Sequence, residues 1–168
     1  MRFARLPLAL VLLGLLGADG VSTARAQMAI PPNSLQDAVT RAQADETPLL
    51  IEIYAPWCPY CQRMQKTVYA DSTVRQYLEE EFTYVRLNSD TTGGQHQFQG
   101  RTLSTSQLAS ALGARGVPTT VFMKADGTPI ARQPGFIKRP MFLTMIRYVG
   151  SGAYRNQDFK TFAEQQSR

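Results

Sequence analysis

Histidine and cysteine are nearly absent from this sequence: its 168 residues hold one histidine, His96, and two cysteines, Cys58 and Cys61. A closed tetrahedral zinc site takes four Cys or His ligands, so a single chain of this composition cannot build one, and only a site shared between two chains stays open. Lys and Arg are scattered singly, with no basic run and no alternation of basic and aromatic residues, which argues against a nucleic-acid partner. Long apolar runs are missing as well: Leu6 to Leu16 is short of the ~20 residues that a membrane-spanning helix requires. No repeat, low-complexity tract or long linker interrupts the rest.

The short apolar run has a different meaning. Arg2 and Arg5 precede it, and Ala24-Arg25-Ala26 follows it as an A-x-A cleavage signal, so residues 1–26 are expected to be a signal peptide with Gln27 as the first mature residue. Removing Arg2, Arg5, Arg25 and Asp19 lowers the formal net charge from +5 to +3, a mild excess that fits a solvated surface. Residues 27–168 then form a single domain, within the size at which one core suffices. The expected destination is the periplasm, where disulfides form and persist.

The mature chain alternates helix and strand. Leu35, Ala38, Val39 and Ala42 recur at helical spacing behind an Asn33/Ser34 cap. Leu49 to Ala55 is an apolar strand interrupted by Glu52, and a strand apolar on both faces belongs inside a covered sheet. A helix is expected from Cys58 to about Ala70, with Pro59 in its first turn, and a second from Asp71/Ser72 with Val74, Tyr77, Leu78 and Phe82 inward. Thr83 to Asn88 alternates as a strand, whereas residues 89–103 read as a polar, Gly-containing insertion in which His96 is a solvated loop residue. Ser104-x-x-Gln107 is a capping box for the next helix. Thr119 to Lys124 and Ile130 to Gln133 make a hairpin around Ala125-Asp126-Gly127, and Met141 to Val149 is a final helix on which a tail bearing Phe159 and Phe162 packs. This order implies an α/β fold with a mixed sheet and helices on both faces.

The stretch APWCPYCQRM carries both cysteines. A disulfide closing so short a loop would remove only about 2 kcal/mol of unfolded-state entropy, which makes a purely structural clip a poor use of the pair. A working redox pair needs an accessible first cysteine with a stabilised thiolate, and Cys58 stands where an apolar strand gives way to a helix N-terminus. It also needs a second thiol in reach of the mixed disulfide, and Cys61 lies one turn on. Glu52 is the one charge in the strand that feeds the motif. Burial beneath the pair would disfavour its charged form and suit it to take a proton from Cys61.

Together LLIEIYAPWCPYC, FTYVRLNSD and ARGVPTTVFMKADGTPIARQPGF resemble the thioredoxin superfamily over roughly Leu35 to Val149. The resemblance implies a thioredoxin fold whose central mixed β-sheet is flanked by helices, with Pro118 in cis facing the C-x-x-C motif. It makes Cys58 the attacking cysteine, Cys61 the resolving one, Trp57 a packing partner, and the Val117-Pro118 backbone a guide for extended substrates. Glu52 stands where cytosolic thioredoxins have Asp, and Arg86 where they have Lys. Arg86 cannot give up a proton and can only pair with Glu52. Pro59-Tyr60 is similar to the glutaredoxin dipeptide. The exported N-terminus and the tail look most like periplasmic thioredoxins of the SoxW type, or thioredoxin-like domains that exchange electrons with a membrane reductase.

The resemblance implies a monomeric thiol:disulfide oxidoreductase, more a reductase than an oxidase, acting on protein disulfides or thiols and re-reduced by a membrane electron donor. No organic cofactor is expected, since the cysteines themselves carry the electrons. The rival readings are a disulfide-introducing oxidase or isomerase, and a redox-inactive module that captures peptides by strand addition beside Pro118. The absence of a helical insertion and of a dimerisation segment before Leu35 weighs against the first.

Overall fold

The structure is a computed structural model that describes residues 35–166. The expected signal peptide at residues 1–26 and the Asn33/Ser34 cap lie outside the described residues. The elements run α1 (Leu35–Asp45), β1 (Leu49–Tyr54), α2 (Pro59–Met64), a π-helical turn (Gln65–Tyr69), α3 (Ser72–Glu81) and β2 (Thr83–Asn88). They continue with β3 (His96–Phe98), β4 (Arg101–Leu103), α4 (Thr105–Ala111), β5 (Thr119–Met123), β6 (Pro129–Pro134), α5 (Arg139–Gly150), a 3-10 turn (Ala153–Arg155) and α6 (Phe159–Gln166).

Four strands form the central sheet in the order β2-β1-β5-β6. β1 runs parallel to β2 and antiparallel to β5, and β5 runs antiparallel to β6, so the sheet is mixed. The interior strands β1 and β5 are the most apolar in sequence, LLIEIY and TTVFM, and both are buried almost throughout. Alternation sorts their side chains between two cores. Leu49, Ile51 and Ile53 join α1 and α4 through Leu35, Ala38 and Leu108 on one face, while Leu50 and Phe122 join α2, α3 and α5 through Met64, Val74 and Phe142 on the other. Each face is thereby covered, as the doubly apolar β1 requires.

Local signals act where the sequence places them. Ser104 accepts from the Gln107 N–H while the Gln107 side chain accepts from the Ser104 N–H, closing a reciprocal capping box on α4. Asp71 caps α3 through the N–H groups of Thr73 and Val74, and these bonds, that of Val74 foremost, hold its carboxyl below the ordinary value. Phe162 of α6 is buried, with its ring 5.3 Å from that of Tyr148 on α5.

Three expectations need correction. The helix from Cys58 to Ala70 is not uniform, because Ala70 N–H bonds to the Gln65 carbonyl five residues back and the second half is a π turn. Residues 89–103 are not all loop: His96–Phe98 and Arg101–Leu103 pair as a hairpin around Gln99 and Gly100, both in the left-handed region with φ of 50° and 75°. His96 is not solvated. It is 4% exposed, its Nδ1 accepts the Leu35 N–H at 3.3 Å, and its Nε2 lies 3.0 Å from Thr105 Oγ1. The imidazole is the tie between α1, the hairpin and α4, and its burial lowers its proton affinity from the ordinary histidine value.

Candidate active site

β1 leaves the sheet at Tyr54, and Cys58 becomes the N-cap of α2 with backbone in the extended region. Pro59 takes the first helical position, where its missing N–H costs no hydrogen bond and its fixed φ suits the helix. The free N–H of Cys61 then donates to Cys58 Sγ at 3.1 Å, so the sulfur fills the place a serine or aspartate oxygen fills in an ordinary cap. Cys58 and Cys61 are joined in a disulfide with Cα atoms 5.2 Å apart. The helix start brings unpaired N–H groups and a positive end of the dipole to the first sulfur, and both favour negative charge there once the pair is reduced.

Opposite lies the segment before β5. Val117 and Pro118 are joined by a cis peptide bond, and the Val117 carbonyl oxygen is 3.6 Å from Cys58 Sγ. Two bonds fix this segment: Thr119 Oγ1 donates to the Gly116 carbonyl at 2.7 Å, and Gly135 N–H donates to the Pro118 carbonyl at 2.8 Å. With Val117 and Ala55 packed against the pair, Cys58 is only 3% exposed. The expectation of an exposed Cys58 is therefore wrong for the oxidised state.

Exposure belongs instead to the rim. Trp57 is 67% and Tyr60 60% exposed. Trp57, expected to pack, stands in solvent with its indole N–H donating to Asp90 Oδ2 at 2.6 Å. The chain turns at once from Ala55 to Cys58, whose N–H donates to the Ala55 carbonyl at 3.2 Å, and Asp90 holds the indole outward. Tyr60 leans toward Phe136 with ring centroids 6.4 Å apart, and the Arg63 guanidinium lies 4.8 Å from the same Phe136 ring.

Glu52 is fully buried on the face of β1 covered by α2 and the π turn. Its Oε2 accepts from Gln65 Nε2 at 2.6 Å, from the Tyr84 hydroxyl at 2.5 Å and from Arg86 Nε at 2.8 Å. Register places Arg86 directly across from Glu52 on β2, and Thr120 across from it on β5. Arg86 is 31% exposed and its guanidinium lies 4.0 Å from the Tyr54 ring, so the ion pair is buried on one side only. Burial first, then the Glu52 charge, hold the Tyr69 hydroxyl well above the ordinary phenol value. Tyr84 is raised in the same sense by burial, then by Tyr69 and Glu52. Both phenols thus remain protonated, and Tyr84 must be the donor in its bond.

Among the described residues, Glu52 Oε1, Tyr69 OH and Thr120 Oγ1 are buried without a hydrogen-bond partner. Tyr69 and Thr120 are neighbours, and Tyr69 stacks on Tyr84 at 5.4 Å. A buried acceptor, Oε1, is left open beneath α2. Sequence reasoning named Glu52 and Arg86 but missed Gln65, Tyr84 and Asp90. Tyr84 shares the Arg86 face of β2 by the period of two, so strand alternation carried that signal. Gln65 reaches Glu52 from a π turn that the sequence does not announce. Among the described residues no group of three or more His, Cys, Asp or Glu could hold a metal ion.

Comparison with known proteins decides the family. The sequence model of the thioredoxin-like domain matches residues 35–150. The chain belongs to the thioredoxin-like family. Relatives of this thioredoxin-like chain include the thiol:disulfide interchange protein DsbD of Vibrio vulnificus, 29% identical over 119 residues, and that of Vibrio cholerae, 30% identical over 120. Each match covers 70% of this chain and 18% of the relative, so the chain spans less than a fifth of those proteins. Among solved structures, a thioredoxin from Thermus thermophilus is 30% identical with a TM-score of 0.55, covering 68% of this chain and 82% of that one. A thioredoxin-fold protein from Helicobacter pylori has a TM-score of 0.66 at 20% identity, covering 73% and 86%. The oxidised C-terminal domain of Neisseria meningitidis DsbD has a TM-score of 0.52 at 19% identity, covering 68% and 91%. These last two likenesses concern the fold alone. A thioredoxin-like domain with a C-x-x-C disulfide at a helix N-cap has the constitution of a thiol:disulfide oxidoreductase.

Proposed function

We propose that this thioredoxin-like chain is an exported thiol:disulfide oxidoreductase that works in the periplasm as a disulfide reductase. The observation that carries the reading is the capped sulfur: Cys58 Sγ receives the Cys61 N–H at the start of α2 and faces the Val117 carbonyl beside Pro118. A thiolate at this position is stabilised before any substrate arrives.

In the reduced enzyme the Cys58 thiolate attacks one sulfur of a substrate disulfide, forming a mixed disulfide and expelling the first substrate thiolate. The Val117-Pro118 backbone aligns the substrate chain next to it. Cys61 then loses its proton, attacks Cys58 Sγ and expels the second substrate thiolate, leaving the enzyme disulfide and a substrate dithiol. Two electrons move to the substrate. Glu52 Oε1, the open buried acceptor, receives the Cys61 proton directly or through one water. Gln65, Tyr84 and Arg86 hold the carboxylate by its other oxygen and so aim Oε1. A dithiol donor held in the membrane returns the two electrons. The names of the DsbD relatives and the SoxW-type resemblance both favour interchange with such a donor, and the small hairpin at residues 96–103, in place of an added helical domain, favours a reductase over an oxidase.

The test is turnover of a disulfide peptide by the purified protein with dithiothreitol as electron source. Turnover that vanishes in Cys58→Ser supports the reading. A native protein with no reducible pair, or peptide binding fully retained in Cys58→Ser without any turnover by the parent, refutes it in favour of a peptide-capture module.

A further inference from the structure

The charges of this molecule are not spread evenly along the sheet. β1 runs from Leu49, paired with Thr83, to Tyr54 beside the disulfide, so residues next to Leu49 and Thr83 mark the far end. Six carboxylates stand there: Asp45 and Glu46 precede β1, Glu79 to Glu81 close α3, and Asp126 occupies the β5–β6 turn, against fewer cations, Lys124 and Arg155 near Glu46 and Arg41 paired with Asp45. At the disulfide end the exposed charges are mainly cations. Arg63 and Lys66 follow the motif, Arg115 stands two residues before Val117, and Lys138 two residues after Phe136. The carboxylate beside the motif, Asp90, is engaged by the Trp57 indole. Asp71 is paired with Arg139 at 2.8 Å. Asp37, also exposed, lies on α1 across the sheet from α2.

Within this cationic collar sit the exposed aromatic residues. Trp57 and Tyr60 flank the disulfide, and Phe136 bridges Tyr60 to the Arg63 guanidinium. Stacking on Phe136 restrains Arg63, so its planar fork is set for a carboxylate with little further loss of freedom. Exposed Trp and Tyr with a restrained Arg are the residue types that anchor protein interfaces. A rim of one charge sign selects the opposite sign and speeds encounter.

We propose that the disulfide end of this protein docks substrate proteins whose target disulfide is set in an acidic surface, with the Phe136-stacked Arg63, and Lys138, as the charge readers and Trp57 and Tyr60 as the apolar anchors. The proposal rests on the reductase reading and adds the chemical class of its substrate. An acidic substrate is drawn to this end more than to the mixed charges of the far one, which orients the encounter before any sulfur meets.

The experiment uses three synthetic peptides with the same intramolecular disulfide, flanked by Asp/Glu, by Ser or by Lys. Each is mixed with the full-length reduced protein freed of excess dithiothreitol, and the second-order rate of peptide reduction is followed by chromatography at low and high salt. At low ionic strength the acidic peptide should react about tenfold faster than the lysine peptide, with the serine peptide between. The ratio should shrink toward one in about 0.5 M salt, where the screening length is only a few ångströms. The double variant Arg63→Glu with Lys138→Glu should lose or invert the preference. Lys124→Glu with Arg155→Glu, which makes the same charge change at the far end, should keep it. Equal low-salt rates for the acidic and lysine peptides, or a preference that survives in the double variant, overturn the proposal while leaving the reductase reading intact. Reduction of none of the three overturns both.

Discussion

Arg86→Met should destabilise the oxidised protein more than Glu52→Gln, because the two ends of the ion pair differ in their access to water. Glu52 is fully buried and Oε1 has no partner, whereas the Arg86 side chain keeps 31% of its surface in solvent. Stranding one member of a fully buried pair costs about 3–5 kcal/mol. The figure must be discounted here, since Arg86 is partly solvated and Gln65 and Tyr84 go on donating to Oε2. About 2 kcal/mol remains for the lost pair, with up to ~1 kcal/mol more from losing the cation above the Tyr54 ring. Glu52→Gln leaves a guanidinium that can turn to water, so its cost should be near 1 kcal/mol. The double variant should recover part of the loss, giving a coupling energy of about 1–2 kcal/mol. Urea denaturation of the four proteins at pH 7 supplies the cycle. A cost under about 0.5 kcal/mol for Arg86→Met, or a larger cost for Glu52→Gln than for Arg86→Met, would refute the reasoning.

Other outcomes follow from the same structure. His96 binds protons less readily in the folded protein than in the unfolded chain, so the unfolded state takes up protons first as pH falls through about 6.5, and stability should drop from there toward the lower folded value. As His96 is the sole histidine, His96→Gln should flatten the urea midpoint between about pH 7.5 and 5.5, even though it lowers the midpoint overall. Ser104→Ala removes half of the α4 capping box and should cost about 1 kcal/mol, read as a shifted urea midpoint with unchanged slope. Cys61→Ser should trap Cys58 in a mixed disulfide with the peptide substrate, seen as a mass adduct that dithiothreitol releases, whereas Cys58→Ser with Cys61 buried should give none.

Where one residue's local chemistry sufficed, the sequence was legible. The two-sided apolar run of β1, the Ser104-Gln107 box and the placing of Cys58 ahead of Pro59 each follow from a short-range rule, and each stands where the spacing put it. Glu52 was legible because a lone charge between Ile51 and Ile53 had to be buried and partnered. What escaped depends on contacts between distant segments. His96 reads as a loop residue until the hairpin folds it against Leu35 and Thr105, which lie 61 and 9 residues away in sequence. The exposure of Trp57 depends on Asp90, 33 residues on, and the burial of Cys58 on Val117, 59 residues on. The π turn has no breaker residue to announce it, so Gln65, which steadies Glu52 from that turn, could not have been named.

In the proposed reading Cys58 and Cys61 form a working pair poised to give electrons to substrates. That reading is tested most directly by the equilibrium reduction potential of the pair, measured in glutathione and dithiothreitol buffers and followed by the fluorescence of Trp57, the neighbouring and sole tryptophan. The expected value lies near the thioredoxin end of the family range, about −270 mV. A value near the strong-oxidant end, about −120 mV, would contradict it and make the protein a donor of disulfides.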